Sequence, residues 1–427
     1  MKTAANSSPA PSEKLRRHDV ELMAPVGSFE SLRAAIAAGA DSVYFGVGEL
    51  NMRSRSAACF SPDDMAAIVV AAHKARRKAY LALNTVIYDE QIEQMRALVD
   101  RAAAGGIDAI IASDQATILY ARGKGVNVHI STQLNVSNFE TLRFYAQWAD
   151  VVVLARELSL DQVAAISGAV RRHDVRGPSG RPVRLEMFAH GALCMAVSGK
   201  CYLSLHDCGE SANRGACRQI CRRSYTLTDR ETGAQIDAEG PYLLSPKDLC
   251  TIDFLDRVVE AGVRVLKIEG RARSGEYVKR VVECYDEALR ALAAGTYTPE
   301  LAASLRRRLG EVFNRGFWEG YYLGAQAPEL SRRYGSSATR RKVYVGKVTN
   351  WFRRVSVAEI TVEAAPLEVG NDILVMGPTT GVVECRAEGI MVDERPAAVA
   401  LQGQLCSLKL PVTVRRGDKL YKVVEDK

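Results

Sequence analysis

The stretch Val20–Gly46, VELMAPVGSFESLRAAIAAGADSVYFG, holds one complete strand–helix–strand cycle. VELMAP is a short apolar run without helical period. Ser28 stands where a helix N-cap accepts a backbone N–H, FESLRAAIAAG repeats its apolar positions at helical spacing, and SVYFG returns to strand. An apolar strand followed by an amphipathic helix and a second apolar strand is the unit of a parallel sheet.

Working outward, the same alternation recurs in KAYLALN from Lys78, AIIASD from Ala109, NVHISTQ from Asn127, VVVLAR from Val151, VRLEMFAHG from Val183 and VRVLKIEG from Val263. With the first two strands these make the barrel number. The predicted fold class is therefore α/β, a TIM-like (β/α)8 barrel, with helices such as those opened by Ser61 and Ser137 wrapping the outside. From Val343 the pattern turns all-β (VYVGKVTN, VSVAEITV, DILVMG, KLYKVV), which predicts a small C-terminal β-barrel domain. The expected division is a disordered tail over 1–18, the barrel over 19–295 with a cysteine-rich loop at 190–250, a helical and aromatic linker over 296–340, and the β domain over 341–427.

The chain has 427 residues, 47% of them hydrophobic, enough for one large and one smaller core. The opening MKTAANSSPAPSEKLRRHD lacks the apolar run of a signal peptide, and no apolar stretch approaches the roughly 20 residues of a membrane span. A cytoplasmic protein without a membrane partner is expected. Lys and Arg outnumber Asp and Glu by 57 to 50, which suits an anionic partner. The arginine clusters at 171–184, 214–223 and 306–341 would equally serve as solvated faces.

Six of the ten cysteines, Cys194, Cys201, Cys208, Cys217, Cys221 and Cys250, crowd into the long connection between the seventh and eighth strands. In a large chain without an export signal these read as thiols, not disulfides. The paired C-x2-C spacing of zinc ribbons is missing; separated thiolates suit an iron–sulfur cluster, and the bland alternative is a set of buried small hydrophobes. Gly191, Gly199, Gly209 and Gly215 beside them suggest a backbone wrapped tightly around something. A Cys194–His190 nucleophilic pair is the rival reading, but no third orienting group accompanies it. Neither a G-x-S-x-G elbow nor an H-E-x-x-H helix is present.

Reactive groups of such barrels lie at strand C-termini. Those positions give Asn84, Asp114, Gln133, Arg156, Glu157, Glu186, His190, Lys267, Glu269 and Arg271. A helix cap or a rim ion pair, such as Glu157 with Arg156 or Glu269 with Arg271, would explain any one of them without catalysis.

EMFAHGALCMAVSGKCYLS (Glu186–Ser204), NRGACRQICR from Asn213, LLSPKDLC ending at Cys250 and LKIEGR (Leu266–Arg271), with the opening stretch, resemble the motifs of peptidase family U32, also called collagenase-like. The C-terminal β domain resembles that of the shorter tRNA-modifying members. The resemblance implies oxygen-inserting RNA or quinone modification more than proteolysis: prephenate-dependent tRNA uridine hydroxylases, a ribosomal RNA cytidine hydroxylase, and quinone-biosynthesis hydroxylases. Of these it points to tRNA as partner, with 5-hydroxyuridine formed at the wobble position and prephenate as small-molecule co-substrate. It also implies a [4Fe-4S] cluster on Cys194, Cys201, Cys250 and one of Cys217 or Cys221, with Cys208 an extra. On that reading Arg156 and Arg271 would clamp the prephenate carboxylates, and Asn84 and Gln133 would read the base edge while Tyr44 or Phe45 stacks on it. Glu186, His190 and Glu269 are the catalytic candidates. The oligomeric state is left open.

Overall fold

The computed structural model describes residues 15–54, 60–236 and 242–426. Seven parallel strands come first: β1 (Glu21–Pro25), β2 (Ser42–Phe45), β3 (Lys78–Leu83), β4 (Ala109–Ala112), β5 (Val128–Ile130), β6 (Val151–Val153) and β7 (Arg184–Ala192). The intervening helices are α1 (Phe29–Ala37), α2 (Met65–Lys74), α3 (Ile92–Ala104), α4 (Gln115–Gly123), α5 (Phe139–Tyr145) and α6 (Leu160–Arg172). After β7 the chain makes one turn of helix, α7 (Leu203–Cys208), and a two-residue ribbon, β8 (Leu227–Thr228) with β9 (Gln235–Ile236). It then returns through β10 (Asp248–Cys250) and α8 (Leu255–Glu260) to β11 (Val263–Ile268). Because β11 pairs in parallel with both β1 and β7, the eight strands close into the expected barrel.

Period two explains the two layers of packing. Leu22 and Ala24 face the helices, whereas Met23 joins Tyr44, Tyr80, Ile111 and Val265 inside the barrel. Ser28 caps α1 as its sequence requires, accepting from the Ser31 N–H.

Two expected boundaries change. Leu15–His18 of the expected tail are placed, and Arg17 bonds Asp41 at 2.9 Å and Asp286 at 2.7 Å; the tail's remaining residues lie outside the described ones. The expected linker is part of the barrel unit. Helices α9 (Gly275–Ala294) and α10 (Pro299–Gly310) pack together, Leu305 and Leu309 of α10 enter the barrel's hydrophobic cluster, and so do Trp318 and Tyr322. Strand β12 (Phe317–Trp318) pairs with β10, which itself runs antiparallel to the end of β7. The apolar face of α10 and the aromatic piece could not have been left in water as a linker.

The C-terminal unit curls an antiparallel sheet of eight strands around its own core of Val345, Ile360, Val375 and Leu408. Its strands are β13 (Arg340–Phe352), β14 (Val357–Val362), β15 (Leu367–Glu368), β16 (Asp372–Gly377), β17 (Gly381–Arg386), β18 (Ile390–Val392), β19 (Arg395–Ala397), β20 (Val399–Ala400), β21 (Leu405–Lys409) and β22 (Lys419–Glu425), of which β15 and β20 form a separate pair. It is seated on the barrel where Ala34 of α1 meets Leu374, Met376 and Val382, and Glu384 accepts from Lys279 at 2.9 Å and Arg280 at 2.8 Å. Among the described residues no helix is long and apolar enough to cross a membrane.

Candidate active site

The strand C-termini and the cysteine-rich connection line one cavity. Its floor is charged. From β11, Lys267 Nζ donates to Glu186 Oε1 at 2.9 Å and sits 4.6 Å from the Tyr44 ring centre. The following Glu269 accepts from Arg53 Nη2 at 2.9 Å and from the Tyr44 hydroxyl at 3.3 Å, and Arg271 Nη1 donates to Asn51 Oδ1 at 3.2 Å.

Burial opposes ionisation of Glu269, yet the guanidiniums of Arg53, Arg271 and Arg156 outweigh it and hold the carboxyl down at about 2. Glu269 is thus a permanent carboxylate. Burial, reinforced by that carboxylate, pushes the Tyr44 phenol well above its ordinary range, so Tyr44 stays neutral. Its hydroxyl also donates to the Ile268 carbonyl at 2.9 Å.

One wall carries amides. Asn84, just past β3, accepts from the Met52 N–H at 3.3 Å and donates to Gln133 Oε1 at 3.3 Å. Opposite charge chemistry enters from Arg156, just past β6, whose guanidinium lies 4.0 Å from the Phe188 ring centre. Among the described residues Arg156 has no carboxylate within ion-pairing distance, and its buried Nε has no hydrogen-bond partner.

The remaining wall is the cysteine-rich segment. Cys194, Cys201, Cys217 and Cys221 all line the cavity. Burial pushes the Cys221 thiol up, against the pull of Arg222, and the other three thiols lie near enough to add to the rise. Two glycines let this segment approach. A Cβ on Gly199 would meet the Gln133 side chain at 2.9 Å, and one on Gly215 would meet Asn51 O and Ser54 Oγ at 2.4 Å.

Among the described residues no three His, Cys, Asp or Glu side chains converge tightly enough to hold a bare ion. The donor set nevertheless fits an iron–sulfur cluster in kind and number: four thiols on one wall, with the cations Arg53 and Arg222 near enough to feel Cys194.

Of the sequence candidates, Asn84, Gln133, Arg156, Glu269 and Arg271 come together with these four cysteines. Three do not. Cys250 is buried on β10 away from the cavity, with burial pushing its thiol up to about 11; both Cys217 and Cys221 share the wall in its place. His190 is enclosed by Tyr277, Tyr285 and Phe317, and burial, with Arg306 and Arg273 adding to it, lowers its pKa to about 3. Glu186 lies beneath the cavity. Burial opposes its ionisation, but Lys267 and His129 hold its carboxyl below the usual range.

Phe45, offered for stacking, faces the helices and packs on Phe60, because alternate strand residues point outward. Asp114 is a helix cap, accepting from the Ala116 N–H at 2.9 Å, and Glu157 is exposed. Arg53 and Asn51 were missed. They follow β2 only after a loop, so a search confined to strand ends passes over them; the run NMRSR beyond Leu50 is the signal that could have found them.

Comparison with known proteins places these features in a family. The model of peptidase family U32 matches residues 27–332. A protein named collagenase from Porphyromonas gingivalis W83 is 55% identical over 405 residues, covering 95% of this chain and 98% of its own. A 23S rRNA 5-hydroxycytidine synthase of Escherichia coli K12 is 37% identical over 276 residues, covering 64% of this chain and 40% of its own. The tRNA hydroxylation protein P1 of Bacillus subtilis 168 is 32% identical over 339 residues, covering 78% and 77%. With its motifs, its barrel and these relatives in agreement, the chain belongs to peptidase family U32.

Proposed function

We propose that this enzyme hydroxylates the wobble uridine of tRNA to 5-hydroxyuridine with prephenate as co-substrate, and that it carries a [4Fe-4S] cluster on Cys194, Cys201, Cys217 and Cys221. The observation that carries the reading is the juxtaposition, in one cavity, of an amide pair, an unpaired guanidinium and four thiols. Relatives named as tRNA and rRNA hydroxylation enzymes support it.

Asn84 and Gln133 each present a donor and an acceptor, which matches the alternating edge of a uracil withdrawn from its stack. Arg156, with Arg271 across the cavity, suits the two carboxylates of prephenate. Glu269 serves as a fixed negative charge that orients Arg53, because it does not gain a proton near neutrality. Bound on the four thiols, the cluster would supply one-electron chemistry beside the substrate.

Proteolysis, which the name of the collagenase relative suggests, lacks a thiol–imidazole pair among the described residues that faces the cavity, since His190 on β7 is packed against Tyr285 and Phe317. The deciding experiment is mass spectrometry of tRNA nucleosides from a deletion strain, complemented with the parent gene or the Cys201→Ala variant. Loss of 5-hydroxyuridine restored only by the parent is expected. An unchanged nucleoside profile, together with collagen cleavage that Cys194→Ala abolishes, would overturn the proposal.

A further inference from the structure

In the cysteine-rich segment three arginines are paired, Arg218 with Glu210 at 2.5 Å, Arg223 with Asp207 at 3.2 Å and Arg214 with Glu90 at 3.7 Å. At the end of the C-terminal sheet four others are not.

The turn between β13 and β14 carries Arg353 and Arg354. The loop from β21 to β22 crosses the end of this hairpin, bonded on one side by the Leu410 N–H to Ser356 O at 3.0 Å and on the other by the Gly417 N–H to Val348 O at 2.8 Å. That crossing leaves Arg415 and Arg416 next to Gly417, beside the Val348 stretch of the strand that leads into the turn. All four arginines are exposed, and among the described residues none has a carboxylate within ion-pairing distance. The nearby acid, Asp418, is buried and occupied with the Arg415 N–H at 2.7 Å and the Thr380 hydroxyl; it fixes the loop and does not neutralise it. Phe352 and Val355, on either side of the turn's two arginines, are exposed.

We infer that this edge is a docking surface for the phosphodiester backbone of the RNA substrate, an inference that rests on the proposed RNA modification. Four unneutralised guanidiniums on two anchored loops form a surface for phosphates, and an exposed aromatic among them suits a nucleobase or sugar. Distance argues for a long partner. Lys342 of β13 pairs with Glu276 of the barrel unit at 2.7 Å, and from there the strand runs ten further residues to the hairpin tip, at most about 33 Å of extended chain. A small substrate in the cavity has no use for so remote a patch, whereas a folded RNA is large enough to reach it.

The test is fluorescence anisotropy of an unmodified tRNA transcript with the full-length protein between 50 and 200 mM salt, comparing the parent with R353E/R354E/R415E/R416E and with R172E/R307E as a charge control. The quadruple variant is expected to bind at least tenfold more weakly at low salt. Its slope of log Kd against log salt should be shallower by about 3, since each phosphate contact contributes about 0.9. The control and all melting curves should match the parent. A parent that binds tRNA with a quadruple variant of equal affinity and slope overturns this inference and leaves the proposed activity standing, as does an equal loss in the control. A parent with no RNA affinity and no nucleoside product overturns both.

Discussion

Cys250 lies directly opposite His190 in the antiparallel β7–β10 ladder, and the Tyr285 hydroxyl stands between them, 3.5 Å from His190 Nδ1 and 4.0 Å from Cys250 Sγ. The pair closes the seam where the chain returns from its cysteine-rich excursion. Both side chains are spent on packing, and neither reaches the cavity.

That placement separates one thiol from four. Iron analysis of anaerobically purified protein should find Cys250→Ala at the parent's iron content and destabilised by about 1 kcal/mol through the small cavity it leaves. Alanine at Cys194, Cys201, Cys217 or Cys221 should each lose at least half of the iron. A Cys250→Ala protein as iron-poor as Cys201→Ala would return Cys250 to the ligands.

The barrel was legible because its strands are buried on both faces and its helices on one, so periodicity carried the signal from Val20 to Ile268. The cavity floor was half legible: Asn84, Arg156, Glu269 and Arg271 follow directly on strands, where chain position dictates orientation. Arg53 arrives from a loop, and no local pattern announces its 2.9 Å contact with Glu269. Cys250 stands apart for a related reason. The family resemblance groups it with the other cysteines, whereas the β7–β10 pairing that sets it away from the cavity is a long-range hydrogen-bond pattern.

His190 should betray its burial in the pH dependence of stability. Its folded pKa of about 3 lies below the ordinary histidine value, so between about pH 6.5 and 3 the unfolded chain binds the extra proton and stability falls as pH falls. His190→Phe removes that contribution. The Tm difference between variant and parent should therefore move in the variant's favour on acidification from pH 7 to 4; a constant difference would mean that His190 is protonated in the folded protein.

Glu269 offers the complementary case. Its carboxyl, depressed to about 2, contributes stability that is fully present above its unfolded pKa and is lost as pH falls from there through the folded value. Glu269→Gln keeps the shape but leaves Arg53 without its carboxylate, at a cost of roughly 3 kcal/mol near neutrality. Urea denaturation at pH 7 and pH 3 should show the variant's deficit shrinking at the lower pH, because there the unfolded parent's carboxyl takes up a proton that the folded one, depressed to about 2, still resists.

Gly215 and Gly209 both adopt left-handed backbone, at φ +90° and +70°, but only Gly215 is crowded: nothing lies within 4 Å of a Cβ at Gly209. Gly209→Ala should cost about 1 kcal/mol of backbone strain. Gly215→Ala must in addition push the Cys217 segment off Asn51 and Ser54, so its iron content should fall along with its Tm. Equal behaviour of the two variants would show that close approach at Gly215 is dispensable.

Arg156 is the sharpest test of the proposed co-substrate. Its guanidinium stacks on Phe188, and its one side-chain hydrogen bond among the described residues, to the Ala192 carbonyl, is long at 3.5 Å, so it keeps donors for an incoming carboxylate at little cost to the fold. Arg156→Lys retains the charge but loses the planar fork and the stacking. Steady-state kinetics with saturating tRNA should show the KM for prephenate rising at least tenfold in Arg156→Lys and further in Arg156→Gln, with the KM for tRNA and the melting temperature unchanged. An unaltered prephenate KM would exclude Arg156 from the carboxylate site. A change confined to the tRNA KM would place it at the nucleotide instead, where the same free donors would meet a phosphate.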